Sequence, residues 1–198
     1  MLLSCLKHNF RSPVLALLLN CYSIVLCLII IAGGYRRLLL TVTGFTLAHS
    51  VTLSLAALNI FRLPTELVEW LIALSILLLV VEIIKRSRAG AGVQDSFTWR
   101  HPLSASSVFG LLHGFEFAVG LQELGLAASM KIQALLFFNI GVEVGQLIFI
   151  AVNLTLPMFV LRAVPALTAS AAMLTPLLVY GVGITSSYWF VERTGVFL

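Results

Sequence analysis

Three apolar stretches of this chain carry side chains that have no obvious place in apolar sequence. In the first, Thr46, His49, Thr52 and Asn59 recur at near-helical spacing and would form a polar stripe along one helix. The second reads Phe109-Gly-Leu-Leu-His113-Gly-Phe-Glu116-Phe-Ala118, with an imidazole and a carboxylate three residues apart on one face. In the third, Asn139, Glu143 and Gln146 are separated by four and three residues, which sets a carboxylate between two amides. Imidazole and carboxylate together suit a divalent transition metal, with nickel, cobalt and zinc all compatible. His49, His113 and Glu116 are therefore candidate cation ligands and Glu143 a candidate cation or proton site, with Thr46, Thr52, Asn139 and Gln146 as polar support. Each group also has a plainer reading. His49 could bond a neighbouring helix, His113 and Glu116 could bond each other, and the amides could solvate a protonated Glu143.

The elements that must hold these side chains follow from composition. Of 198 residues, 60% are hydrophobic and 10% charged, and the mean hydropathy is +1.08. A soluble domain carries about 25% charged residues, so this chain has too few to coat a water-facing surface. A helix crossing about 30 Å of hydrocarbon needs roughly 20 mostly apolar residues. Six runs approach that length: 14–32, 38–60, 67–84, 103–121, 132–160 and 166–188. We expect an all-α, polytopic transmembrane helix bundle of about six spans, forming one membrane domain over residues 1–198. A charged side chain at mid-bilayer costs about 2.5–3.5 kcal/mol on insertion scales, so the polar groups should face other helices or a wet cavity. Gly110, Gly114 and Ala118 form one small-residue ridge, and Gly141 with Gly145 another, either of which would let a helix approach closely.

The remaining polar residues are assigned lesser roles. Lys7 and Arg11 precede the first run in the manner of a signal peptide. That run exceeds an h-region of about 7–15 residues and lacks an A-x-A site, so a retained helix is expected. Arg36, Arg37, Lys85, Arg86, Arg88, Arg100 and Arg162 would share one side, the cytoplasmic one, which places both termini in the periplasm. Lys7, Arg11, Arg62, Lys131 and Arg193 would lie opposite. Glu82 is expected to pair with Lys85 or Arg86, and Glu66 and Glu69 to suit a helix start after Pro64. Trp99, Tyr188 and Trp189 fit interfacial anchoring. Cys5, Cys21 and Cys27 form no CxxC pair and read as small buried hydrophobes. No basic stripe with interleaved aromatics suggests nucleic acid. No GxSxG, HExxH or GxxxxGK[ST] motif suggests an enzyme or an ATP-driven pump. A haem held between His49 and His113 is a further arrangement that the histidines alone would permit.

Several phrases in order make the chain recognisable. They are Arg36-Arg37-Leu-Leu-Leu-Thr-Val-Thr-Gly-Phe-Thr-Leu-Ala-His49-Ser-Val-Thr-Leu, then Val68-Glu69 with Ile72-Ala-Leu-Ser-Ile76. Phe109-Gly-Leu-Leu-His113-Gly-Phe, Asn139-Ile-Gly-Val-Glu143-Val-Gly-Gln146 and Tyr188-Trp-Phe-Val-Glu192-Arg193 follow. From about Tyr35 onward the sequence resembles the HupE/UreJ family of membrane proteins. The resemblance implies a bacterial inner-membrane protein tied to nickel hydrogenase or urease systems. Such a protein would act as a nickel or cobalt permease, or as a non-transporting accessory to metallocentre assembly. It implies no tightly bound cofactor, a transient Ni2+ or Co2+ substrate, and partners among the lipid bilayer and metalloenzyme maturation proteins. By the same resemblance, His49, His113 and Glu143 would handle the metal. Two departures stand out. The family's glycine-x-Asp-His motif in the first span is replaced by Leu19-Asn20-Cys21-Tyr22-Ser23. The family's His-Gly-Phe-Gly-Phe-Ala reads His113-Gly-Phe-Glu116-Phe-Ala118, so that Glu116 is a candidate replacement ligand.

Overall fold

Apolar sequence in a bilayer must satisfy its backbone groups internally, which a helix does within one segment. The computed structural model describes residues 13–89, 97–123, 131–164 and 168–195. All its regular elements are helices: α1 Pro13–Ala32, α2 Tyr35–Ala57, α3 Thr65–Ala89, the one-turn α4 Phe97–Arg100, α5 Pro102–Glu123, α6 Lys131–Ala163 and α7 Thr168–Thr194. Among the described residues, four segments are long and apolar enough to cross a membrane: Tyr35–Ala57, Thr65–Arg88, Ile132–Ala163 and Met173–Thr194. Leu19–Ala32 is a shorter apolar segment. Cys5, Lys7, His8 and Arg11 lie outside the described residues.

Local chemistry sets the boundaries. Gly33, at φ 64°, separates α1 from α2 in a left-handed conformation that favours glycine. The second expected run ends three residues early, at Ala57. Asn59 sits at φ 63°, while Ile60 N–H bonds Leu55 O at 2.9 Å and Asn59 N–H bonds Ala56 O at 3.1 Å. That pair of bonds is a Schellman cap with asparagine at its left-handed position. Asn59 therefore terminates α2 and does not extend its polar stripe. α7 instead runs six residues beyond the expected end. Its last turn is tied to the start of α3, where Arg193 Nε donates to Glu69 Oε2 at 2.9 Å and Trp70 Nε1 to Thr194 Oγ1 at 3.0 Å. Trp189, expected at the interface, is buried beside Ala73.

α2 and α5 form the most intimate pair in the bundle, with α3 against α5 and α1 closing the other side. Ile24, Leu28, Phe45, Ile72, Ile76 and Leu79 interlock between them as the main core. α7 packs on α3, whereas α6 packs on α2 and α1, so the two lie on different flanks. Both flanking helices display rows of exposed apolar side chains, among them Phe137, Ile148, Phe159, Leu177 and Ile184. Such surfaces suit lipid as a solvent.

Candidate functional site

The α2–α5 crossing is made by glycine. A Cβ on Gly110 would collide with the Phe45 carbonyl, and one on Gly114 with the His49 carbonyl and Thr52 Oγ1. The expected ridge of Gly110, Gly114 and Ala118 is thus the contact that lets two backbones meet. It draws His49 and His113, each fully buried, into the centre of the bundle.

Around them four helices contribute polar groups. His113 Nδ1 lies 3.6 Å from Glu116 Oε2, within ion-pair range but too far for a hydrogen bond. Asn20 Nδ2, from α1, donates to Glu116 Oε1 at 3.1 Å. From α6, Gln146 accepts from Thr46 Oγ1 at 3.1 Å and points its Nε2 at Cys21 Sγ, 3.9 Å away. Aromatic rings fill the remaining space. Phe45 stacks on His49 at 6.0 Å and lies 5.6 Å from the His113 ring, and Phe117 meets His49 edge-on at 5.0 Å. Six buried polar atoms here find no hydrogen-bond partner: both ring nitrogens of His49 and of His113, Glu116 Oε2 and Asn20 Oδ1.

Not every expected residue joins this cluster. Thr52 Oγ1 bonds back to the His49 carbonyl at 3.2 Å, and Asn139 Nδ2 to the Leu135 carbonyl of its own helix at 3.0 Å. Glu143 is half-buried on α6. The second glycine ridge differs from the first, because among the described residues no other helix comes within 4 Å of a Cβ on Gly141 or Gly145. Among the described residues no group of three or more His, Cys, Asp or Glu is arranged to hold a metal ion.

The family model described as HupE / UreJ protein matches residues 22–193. The chain belongs to the HupE/UreJ family. Membership and the apolar helices make it a membrane protein of the nickel- or cobalt-related accessory kind. Neither the curated proteins nor the solved structures contain a match.

Asn20 is the residue that sequence spacing missed in this HupE/UreJ protein. In the sequence it stands only within the Leu19–Ser23 segment that departs from the family motif, 96 residues from the carboxylate it meets. The two departures from the family pattern touch each other, since Asn20 stands where the first-span motif is lost and Glu116 is the acid gained. Cys21 and Cys27 are buried thiols, as their apolar setting suggested.

The Thr46–Gln146 bond ties α6 to the cluster. Thr46→Val keeps the side-chain shape but leaves the Gln146 carbonyl oxygen buried without that donor. We expect a loss of about 1–3 kcal/mol in unfolding free energy, read by denaturant titration of the purified protein in micelles.

Proposed function

We propose that this HupE/UreJ protein is a permease for a divalent transition metal, nickel or cobalt, in the bacterial inner membrane. The observation that carries this reading is the set of six unpartnered polar atoms on His49, His113, Glu116 and Asn20. Leaving one buried donor or acceptor unpaired costs about 1–3 kcal/mol, and a passing cation would relieve several such costs in one place. Imidazole and carboxylate are suitable donors for nickel or cobalt. Glu143, half-buried on α6, is the candidate intermediate stop between the surface and the buried pair. A permease must release its cargo, so its site need not be a closed coordination shell at rest.

The metal is a transient substrate in this reading, and a gradient or a partner supplies the driving force. Basic residues gather at the end of the bundle where α2 and α7 begin and α3 and α6 finish. The positive-inside tendency puts that end in the cytoplasm and the chain termini in the periplasm.

The test is nickel uptake by cells expressing the chain, beside His113→Ala and Glu143→Ala variants at equal membrane levels. We expect uptake above background, falling to background in both variants. Uptake unchanged by either substitution would remove these residues from the path. The packing of Phe45 and Phe117 rings on His49 favours a second reading, in which the histidine is structural. In that case the protein is a non-transporting accessory that docks metalloenzyme maturation proteins. It would then show no uptake, retain partner binding and tolerate loss of Glu143.

A further inference from the structure

At the basic end of the bundle two cavities, each of about 410 Å3, share Arg86 and Trp99 as a common wall. This size lies within the range of roughly 300–1,000 Å3 usual for ligand sites. Their linings differ in kind. One branch is polar and is formed by Arg37 at the start of α2, Arg100 at the end of α4, and His101. The other runs between α1, α3 and α7 along Ile30, Ile83, Ile84, Pro176 and Val179.

The shared wall is built, since the Arg86 guanidinium sits 3.8 Å above the centre of the Trp99 ring. Arg88 Nη2 donates to the Tyr180 hydroxyl at 3.1 Å and braces α3 against α7 beside the apolar branch. The Trp99 indole Nε1 is buried and has no acceptor among the described residues. Charge at this end is lopsided. Arg36, Arg37, Lys85, Arg86, Arg88, Arg100 and Arg162 gather there, and Glu82 is the one acidic residue at that end among the described residues.

We propose that this two-branched crevice binds an anionic phospholipid, with the headgroup phosphate between Arg37 and Arg100 and an acyl chain along Ile83, Ile84 and Val179. Guanidinium forks match phosphate oxygens geometrically, and arginine is the preferred side chain for that contact. A soluble phosphate would use the polar branch alone. A phospholipid uses both, and the basic end of a membrane bundle is where its headgroup resides.

The test is native mass spectrometry of the full chain released from detergent, with phosphatidylglycerol or phosphatidylcholine added. We expect preferential retention of phosphatidylglycerol by the native protein. The double variant Arg37→Gln/Arg100→Gln should retain it about tenfold or more weakly, as expected for two basic groups at an anionic headgroup. Ile84→Trp, which fills the apolar branch, should weaken it as well. Arg36→Gln removes a charge that does not line the crevice and should bind as the native protein does. Circular dichroism checks that each variant is folded. Equal retention of the two lipids would overturn the proposal, as would an equal loss in Arg36→Gln. Displacement by excess inorganic phosphate, with Ile84→Trp unaffected, would assign the polar branch to free phosphate and overturn the lipid assignment.

Discussion

Gly114→Ala should be among the most damaging single substitutions in this protein. The added methyl group would strike the His49 carbonyl and Thr52 Oγ1, and would lie 2.8 Å from the Leu53 amide nitrogen. Two of those atoms are backbone, so no rotamer change relieves the clash and α2 must move away from α5. Overpacking in a well-packed core costs about 1–3 kcal/mol, and a collision with backbone belongs at the top of that range or above it. Gly110→Ala, which meets the Phe45 carbonyl, should behave alike. Thermal unfolding in detergent micelles would read both. Gly141→Ala and Gly145→Ala supply the internal control, because among the described residues their methyl groups meet no neighbouring helix within 4 Å. They should change stability by no more than about 0.5 kcal/mol, or raise it slightly through better helix propensity. A large loss at Gly141 would mean that another protein surface covers α6.

The second large effect is expected at Glu116. Glu116→Gln keeps the volume of the side chain and leaves a carbonyl oxygen to accept from Asn20, so the fold should survive. What disappears is the ionisable carboxyl group, whose Oε2 lies 3.6 Å from His113 Nδ1. If Glu116 meets the cation, nickel binding by the purified protein should weaken roughly 10–100-fold, the scale associated with altering a group around a metal site. Isothermal titration with nickel would measure this directly. Unaltered affinity in a folded variant would remove Glu116 from the metal path. It would leave the Asn20–Glu116 bond as a packing device between α1 and α5.

The sequence carried the helices better than their partners. Apolar runs announced each long helix because membrane-spanning backbone has few alternatives, and three-residue spacing was enough to place His113 beside Glu116. Gly110 and Gly114 correctly foretold a close crossing. Yet Gly141 and Gly145 repeat the same spacing and face open space. A spacing rule describes the face of a helix and says nothing about what stands opposite. The same limit hid the Asn20–Glu116 contact and the aromatic packing of Phe45 and Phe117 around His49, which depend on how separate helices dock. Asn59 misled for another reason. Its place in the helical repeat was sound, but a left-handed cap ends α2 before the repeat reaches it.

The pairing of α2 with α5 also has a history in time. Gly114 follows His49 by roughly sixty-five residues, a delay of about 3–13 s at synthesis rates of about 5–20 residues per second. During that interval the rest of α2 and all of α3 are made, but the glycine face that encloses His49 is completed only at its end. The nascent hairpin must hold an imidazole beside lipid or the insertion machinery until α5 arrives. Final assembly of the buried cluster is therefore a late event in biogenesis, and an α5 defect would strand an otherwise inserted amino-terminal half.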